Sequence, residues 1–319
     1  MTSLKQAANN NEIDVVYCFL LKETMIKSDF FAGFQKLIKI SLPRTIKSID
    51  SKAFRECASL QKISIPSSVK EIGDSAFYGC SSLKQILIPP SVTSIGGYAF
   101  FNCHSLKQVI LPFSITIIKP YTFKDCNRLE EIIIPSSVTA IESNAFHGCI
   151  SLKEITIPSS VKSIENSIFY YCSSLERVTI LSSISSIKGG MFYNCSSLKE
   201  FIIPSSVTLI EFGAFSGCSN LERISIPSRV EVIKGFAFYG CKSLTDVVFE
   251  EQSSLLSIEN NAFSKCSKLK KLYLPCLVKS IEYNVFIDCP ELRVVNMPKS
   301  MKDFIESEFG FHPFKIKYY

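Results

Sequence analysis

A phenylalanine returns every 23 residues along this chain, and this spacing decides the class of fold. It holds from Phe31 to Phe309, except for one step of 25 residues between Phe238 and Phe263. A fixed period of this length indicates a solenoid, in which each unit packs only on its neighbours and the chain grows in one dimension. We therefore expect the 319 residues to form about 12 to 13 coils and not two globular domains.

The other positions of the repeat keep the same register. Residues 152–174 form one copy, LKEITIPSSVKSIENSIFYYCSS. Its Leu-x-x-Ile-x-Ile alternation predicts a short strand with one face inward, and the proline that follows lacks the N–H needed to continue a ladder. Two serines then form a corner through local side-chain to backbone hydrogen bonds. Val and Ile, three residues apart, point inward from the opposite wall, and the phenylalanine ring fills the space between the walls.

Each coil turns the same way, so successive strands are expected to be parallel and ~4.8 Å apart, in a right-handed coil. The motif Leu-x-x-Ile-x-Ile-Pro-x-Ser-Val-x-x-Ile-x-x-x-Ala-Phe-x-x-Cys resembles the BspA-like subclass of leucine-rich repeats over residues 26–309. The resemblance implies a leucine-rich-repeat solenoid with a concave parallel β-sheet and a convex side of short strands and 3-10 turns. It also implies an interaction protein, since members of this family are often bacterial or protist surface adhesins for host proteins.

Three domains follow from where the repeat begins and ends. Residues 1–25 are predicted to be a small N-terminal helical cap, residues 26–309 the solenoid, and residues 310–319 a C-terminal capping strand. The cap is inferred from near-helical spacing of apolar residues, which are Ala7, Ala8, Ile13, Val16 and Leu20. The capping strand is inferred from an alternation of apolar and charged residues, which are Phe314, Lys315, Ile316, Lys317 and Tyr318. Such charges guard an exposed edge against pairing with another chain.

Three places depart from the pattern, one of which is the unit that is truncated at Phe309. Leu181 stands where other copies have proline, and the corner between Phe249 and Ile258 is two residues longer than elsewhere. Insertions in repeat proteins are placed on one face, so the longer corner predicts either a specific loop or a bulge that the solenoid tolerates.

The residues that could carry chemistry do not form a catalytic or metal-binding pattern. Eleven of the 13 cysteines occupy one position, three residues after the phenylalanine, and are expected to be free, buried thiols that donate weakly to backbone carbonyls. Cys18 and Cys276 lie outside this row. His147 precedes Cys149 by two residues, but it occupies a variable loop position. We expect no cofactor, no metal ion and no enzymatic activity.

Charge and hydropathy limit the partners and the compartment. The net charge of +6 is too small and too dispersed to predict nucleic-acid binding. The sequence contains no run of 18 apolar residues, so we do not expect it to insert into a membrane. The N-terminus does not resemble a secretion signal, and free thiols favour a reducing compartment, so a cytoplasmic location is predicted, with the cell surface as the alternative.

The outward positions of the predicted strands are the expected contact surface. Leu87, Ile110 and Ile133 fall at the same outward position of three consecutive strands and would form an exposed apolar stripe. Charged residues flank the stripe, and further outward apolar residues follow along the chain. The candidate partner-binding residues are Leu87, Ile110, Ile133, Ile202, Val248, Tyr273, Glu130, Glu131, Lys84 and Lys107.

Two functions remain open from the sequence. The main prediction is a non-catalytic scaffold or adaptor that binds protein partners through the concave sheet face. The alternative is a cell-surface or secreted adhesin of the BspA-like type that binds host or matrix proteins. The same stripe could join two copies of this chain, so a homo-oligomer is a further possibility.

Overall fold

The structure is a computed structural model that describes residues 23–302 and 314–319, together with the backbone of Val16–Tyr17. The chain divides into two compact units, Met1–Ile168 and Phe169–Tyr319. Each unit is a parallel β-solenoid in which one coil contributes two strands, so the predicted solenoid is confirmed. Odd-numbered strands and β26 form the first wall, and the other even-numbered strands, each of two residues, form the second wall.

The first unit holds the strands β1 to β14. They are β1 (Val16–Tyr17), β2 (Met25–Ile26), β3 (Lys39–Ser41), β4 (Ser48–Ile49), β5 (Lys62–Ser64), β6 (Glu71–Ile72), β7 (Gln85–Leu87), β8 (Ser94–Ile95), β9 (Gln108–Ile110), β10 (Ile117–Ile118), β11 (Glu131–Ile133), β12 (Ala140–Ile141), β13 (Glu154–Ile157) and β14 (Ser163–Ile164). Neighbouring strands of a wall pair in parallel, as β7 does with β9 and β9 with β11. The middle residue of each three-residue strand is buried and its neighbours face outward.

The second unit repeats this arrangement. Its strands are β15 (Arg177–Ile180), β16 (Ser186–Ile187), β17 (Glu200–Ile202), β18 (Leu209–Ile210), β19 (Arg223–Ile226), β20 (Val232–Ile233), β21 (Asp246–Phe249), β22 (Ser257–Ile258), β23 (Lys271–Tyr273), β24 (Ser280–Ile281), β25 (Val294–Met297) and β26 (Lys315–Tyr318). One turn of 3-10 helix spans Lys299–Met301. The even-numbered strands form one five-stranded sheet, and β26 pairs in parallel with β25.

Stacked phenylalanine rings form the centre of both units, as the repeat predicts. In the first unit the ring centroids of consecutive members are 4.9–5.7 Å apart, and the planes lie within 8° of parallel. This ladder of the first unit consists of Phe31, Phe54, Phe77, Phe100, Phe123 and Phe146, all buried. Val and Ile of the second wall point inward, as Val69 and Ile72 do. The thirteenth phenylalanine, Phe309, lies outside the described residues.

The corner serines connect neighbouring coils, so the predicted local hydrogen bonds are wrong. The hydroxyl of Ser68 donates to the carbonyl of Ile46 at 2.6 Å, and that of Ser137 donates to Ile115 at 2.7 Å, in each case 22 residues back. The proline before the serines offers no N–H, and the corner brings each serine over the preceding coil. The second serine therefore satisfies a carbonyl that the strand ladder leaves unpaired.

Two positions of every turn adopt the left-handed backbone conformation. They lie two residues before and two residues after the ladder phenylalanine, as at Tyr98 (φ 57°) and Asn102 (φ 59°) around Phe100. Glycine takes the second position in several coils, for example Gly217 (φ 75°). Glycine and asparagine accept this conformation at lowest cost, whereas a bulky side chain makes it strained.

The N-terminal residues show that one prediction is wrong. The N-terminal helical cap is wrong where the structure describes it, because Val16–Tyr17 form β1, parallel to Ile40–Ser41, and Met25–Ile26 form β2. A strand satisfies the open edge of β3, whereas an isolated short helix would be marginal. The remaining residues on which the cap was predicted lie outside the described part of the chain. The boundaries of the three predicted domains stay a prediction.

The longer corner between Phe249 and Ile258 leaves the core of the second unit undisturbed. The rings of Phe238 and Phe263, on either side of it, still stack at 5.1 Å and 5°. Leu255 within the corner is fully buried. These contacts support the interpretation of a tolerated bulge over that of a specific loop.

Candidate functional site

The apolar stripe lies on the first wall of the first unit, where three strands present the same outward position. Parallel pairing aligns Leu87 with Ile110 and Ile110 with Ile133. The three residues end β7, β9 and β11, directly after the buried residues Ile86 and Val109 and their counterpart on β11. The register of the sheet therefore brings the three side chains together, as the repeat spacing predicts.

The exposure of the stripe sets it apart from an ordinary strand surface. Leu87, Ile110 and Ile133 have exposed fractions of 70%, 60% and 68%. The same outward position holds Ser64 on β5 and Thr156 on β13, so the stripe is bounded by polar residues on both sides. Three large aliphatic side chains in adjacent strands form a continuous apolar surface, which is typical of a contact site.

Charged residues border the stripe one row away. Lys84, Lys107 and Glu130 precede the three strands, and their backbones are linked in register, since Lys107 N donates to Lys84 O and Glu130 N to Lys107 O. The Nζ of Lys107 lies 3.7 Å from Oε1 of Glu130. This ion pair is exposed and stabilises the fold little. Glu131 begins β11 and is exposed beside Gln108. The border thus changes from basic at Lys84 to acidic at Glu131.

Phe113 is an exposed residue near the stripe that the sequence interpretation missed. It follows β9 by three residues, at the corner where four other coils have the first serine of Pro-Ser-Ser, and 75% of it is exposed. The replacement of that serine by phenylalanine in LPFS was the visible signal. An exposed aromatic ring on the coil of Ile110 extends the apolar surface to the corner.

The remaining predicted contact residues lie in the second unit and are less closely grouped. Ile202, Val248 and Tyr273 are all exposed at the outward position of β17, β21 and β23. Ser225 lies between Ile202 and Val248 in the register of the sheet. Ile202 is therefore separated from Val248 by a polar residue, and the stripe of three consecutive strands in the first unit is the stronger candidate.

The thiols of the cysteine row are expected to be poor nucleophiles. The thiols donate to carbonyls of the preceding coil, as Cys57 Sγ does to Phe31 O at 3.0 Å and Cys80 Sγ to Phe54 O at 3.1 Å. All eleven row cysteines are free and buried. Burial raises the pKa of Cys57 to about 12 and that of Cys289 to about 11. A thiol without thiolate character is a poor nucleophile.

Thiol labelling provides a direct test of this arrangement. At pH 8 we expect iodoacetamide to modify Cys276, which is exposed, within minutes, and the eleven row cysteines only after unfolding. The reason is that burial hides the row and raises the pKa of its thiols. Peptide mapping by mass spectrometry over a time course, with a sample in guanidinium as the control, measures each site. A row cysteine that reacts at the rate of Cys276 in folded protein would contradict the expectation.

His147 and Cys149 each contact a different residue. Nδ1 of His147 lies 3.1 Å from Oδ1 of Asn144, while Cys149 Sγ donates to the carbonyl of Phe123 at 3.3 Å. Burial, with a smaller contribution from Lys124, lowers the pKa of His147. The imidazole thus contacts a residue of its own turn, whereas the thiol donates to a carbonyl of the preceding coil.

Among residues 23–302 and 314–319 no group of three or more His, Cys, Asp or Glu side chains is arranged to hold a metal ion. The described part of the chain also contains no helix that is both long and apolar enough to span a membrane.

Comparison with known proteins identifies the family. The BspA type leucine rich repeat region, in six copies, matches residues 19–130, 116–213 and 185–312. The chain belongs to the BspA-type leucine-rich repeat family. Leucine-rich-repeat proteins of this kind are typical interaction scaffolds and are generally non-enzymatic. The sequence matches no curated protein.

Solved structures of similar proteins agree with the fold of this BspA-type protein. A leucine-rich repeat protein from Bacteroides ovatus ATCC 8483 is 30% identical, with 92% of this chain and 87% of that chain covered and a TM-score of 0.74. A leucine rich cell surface protein from Faecalibacterium prausnitzii A2-165 is 29% identical over 92% and 83%, with a TM-score of 0.63. A leucine-rich repeat protein from Eubacterium ventriosum ATCC 27560, 23% identical over 76% and 80% with a TM-score of 0.52, supports the fold alone.

Proposed function

We propose that the protein binds a protein partner through the outward face of β7, β9 and β11. The observation that carries the proposal is the aligned, exposed stripe of Leu87, Ile110 and Ile133. Clustered aliphatic side chains provide the affinity of an interface when a partner removes them from water. The role is recognition without catalysis.

The charged border gives this surface an orientation. Lys84 and Glu131 lie at opposite ends of the rows beside the stripe, so a partner with the reverse order of charges would dock in one direction. Charges at the rim of an interface set the rate and direction of association more than its affinity. Phe113 adds an aromatic side chain to the corner of the same unit, a residue type enriched in interfaces.

The cell surface is the better supported location for this role. The protein from Faecalibacterium prausnitzii that shares 29% identity with this chain is described as a leucine rich cell surface protein. A cytoplasmic location has no comparable support. We therefore place the adhesin-like alternative ahead of the intracellular adaptor, and labelling intact cells with a membrane-impermeant biotin reagent tests this order. Labelling only after lysis would favour the adaptor.

A charged variant tests the contact itself. Changing Leu87, Ile110 and Ile133 together to Glu is expected to reduce partner capture at least about tenfold, because three charges would have to be desolvated in the interface. The measurement is an affinity capture from the native cells and their surroundings, quantified by mass spectrometry, with light scattering on the purified proteins. Since the three side chains already face water, the unfolding midpoint should change little.

A matched control carries the same charges on the same wall. Ser41, Ser64 and Thr156 occupy the equivalent position of β3, β5 and β13, and changing all three to Glu should leave capture unchanged. If the variant of the stripe instead changes from dimer to monomer and the wild type captures only itself, the stripe joins two copies of the chain. Equal capture and equal size for the folded stripe variant and the wild type would refute the proposal.

A further inference from the structure

The second unit contains a groove that the proposed protein contact does not use. It is formed by the turns around five consecutive ladder phenylalanines, from Phe169 to Phe263, and not by the outward faces of the strands. Its volume is about 570 Å³, which is enough for a ligand of several sugar rings or a short peptide. A ligand in this groove would bind independently of the apolar stripe in the first unit.

Tyrosine rings dominate the apolar part of the groove. Tyr171, Tyr193 and Tyr239 line it. The ring of Tyr193 stacks on that of Tyr170 at 4.4 Å and 2°, and meets the ring of Tyr171 at 5.8 Å and 74°. The rings are therefore held in place by one another before any ligand arrives. Aromatic faces carry negative charge density, which attracts the weakly positive C–H groups on the flat face of a pyranose ring.

Tyr171 occupies a place that is unfavourable for its residue type. Two residues after the ladder phenylalanine the backbone is left-handed, and Tyr171 has φ 60°. The equivalent residues of three following coils are Asn194, Gly217 and Gly240, with φ of 55°, 75° and 68°. Asparagine and glycine adopt this conformation without the steric cost that a bulky side chain brings. Tyr171 therefore brings an aromatic ring to the groove at a position where the next three coils have asparagine or glycine and the fourth has Lys265, with φ 59°.

The polar groups of the groove select for negative charge. Lys242 and Lys265 line it, and none of its twelve lining residues, all within the described part of the second unit, is a carboxylate. The Nζ of Lys265 lies 5.1 Å from the centre of the Tyr239 ring, so a positive charge and an aromatic face are presented together. Asp288, on the next turn, attracts Lys265 from outside the groove.

A row of hydroxyl groups adds hydrogen-bonding capacity. Ser173, Ser196 and Ser219 each lie four residues after a ladder phenylalanine and line the groove on consecutive coils. Consecutive coils place them at roughly the 4.8 Å spacing of parallel strands. Hydroxyl groups both donate and accept, which suits ring hydroxyls of a saccharide.

From this combination we infer that the groove binds an acidic saccharide. Its sulfate or carboxylate groups pair with Lys242 and Lys265, its pyranose rings stack on the tyrosines, and its hydroxyls bond to the serine row. A neutral saccharide would bring no negative charge to Lys242 and Lys265, and a simple inorganic anion would leave the aromatic rings unused.

Calorimetry with defined oligosaccharides tests the inference on the full chain. The probes are a heparin hexasaccharide, which carries sulfates and carboxylates, a hexagalacturonate, which carries carboxylates alone, and maltohexaose, which is neutral. We expect at least one acidic probe to bind, more weakly as salt is raised because ion pairs are screened, and maltohexaose not to bind. The two acidic probes distinguish sulfate from carboxylate recognition. Binding of maltohexaose as tight as that of the acidic probes, or no binding by either acidic probe, would overturn the inference.

A pair of lysine variants separates the groove from general attraction to a basic protein. Changing Lys242 and Lys265 to Gln should weaken binding of the acidic probe at least about tenfold, since each charge-assisted contact is lost. The matched control changes Lys234 and Lys279 to Gln, which removes the same charge beside β20 and β24 of the second wall, and should alter the affinity by less than about twofold. Equal losses in the two variants would show non-specific attraction and overturn the inference.

Tyr171→Asn separates ligand binding from folding. Asparagine adopts the left-handed backbone conformation at lower cost than tyrosine. It already occupies the equivalent position of the next coil, as Asn194. We expect an unchanged or higher unfolding midpoint together with about tenfold weaker binding of the acidic probe. A variant that is folded, stable and binds the probe as tightly as the wild type would show that the tyrosine ring is not part of a ligand site.

Discussion

Phe100→Ala is expected to lower the free energy of unfolding of the first unit by about 3 to 5 kcal/mol. Phe100 is fully buried and stacked between Phe77 and Phe123, at 5.5 Å from each. Truncation removes the ring from both stacks at once, and the coils cannot close the gap, because their backbones are already hydrogen-bonded, as Phe100 N is to Thr122 O. The cavity therefore remains open.

Chemical denaturation followed by circular dichroism measures this loss. The matched control is Phe113→Ala, which removes the same side chain from an exposed corner of the same unit and should change the unfolding free energy by less than about 0.5 kcal/mol. Similar losses for the two variants would mean that the phenylalanine ladder does not hold the unit together. A broader transition in Phe100→Ala would indicate that coils on either side of the cavity unfold separately, as solenoids can.

Gly96→Ala is expected to destabilise the first unit by about 3 kcal/mol. A Cβ at this position would lie 2.3 Å from the backbone nitrogen of Asp74 and 2.4 Å from the carbonyl carbon of Gly73, both in the preceding coil. Backbone atoms cannot rotate out of the way, so the two coils must separate and stretch the hydrogen bond from Gly96 N to Ile72 O, which is 2.8 Å long.

The neighbouring glycine provides the control for this prediction. In Gly97→Ala the nearest atom to the new Cβ would be Pro120 O at 3.3 Å, so a small adjustment suffices and the loss should stay below about 1 kcal/mol. Thermal unfolding of both variants compares them directly. Equal unfolding midpoints would show that the coils can move apart at this point without cost.

The 23-residue period allowed the core and its strands to be predicted from the sequence. A position that recurs in every coil has the same neighbours in every coil, so one interpretation of Phe, Cys, Val and Ile applies to all copies. The register that aligns Leu87, Ile110 and Ile133 follows from the same period, because equal spacing in sequence becomes adjacency across parallel strands.

Features that depend on contacts between coils could not be predicted in this way. The bond from Ser137 to the carbonyl of Ile115 spans 22 residues, and nothing within Pro-Ser-Ser distinguishes it from a local turn. Val16–Tyr17 forms a strand because an open edge lies beside it, although its own spacing favours a helix. The groove in the second unit depends on the side chains that five consecutive turns place together, such as Tyr171 and Lys265, and the period alone does not show that they enclose a space.

The cysteine row also shows why compartment is difficult to derive from composition. Free thiols suggest a reducing environment only if they could otherwise react. Here the thiols are buried, and burial holds the pKa of Cys57 near 12, so oxidation is suppressed wherever the protein resides. The row is therefore compatible with the cell-surface location that we propose.

The thiol-to-carbonyl contact has a consequence for how such proteins diverge. In the first unit each bond from Cys Sγ to Phe O spans 26 residues, one repeat plus three, as from Cys103 to Phe77 and from Cys126 to Phe100. Unequal recombination that deletes or duplicates one 23-residue block restores the same bond between the new neighbours. Copy number can thus change in a single genetic event without a compensating core mutation, while outward positions such as Ile110 accumulate substitutions independently. The core residues of any two coils fit each other, so selection can act on the number of coils and on the outward residues of the binding surface separately.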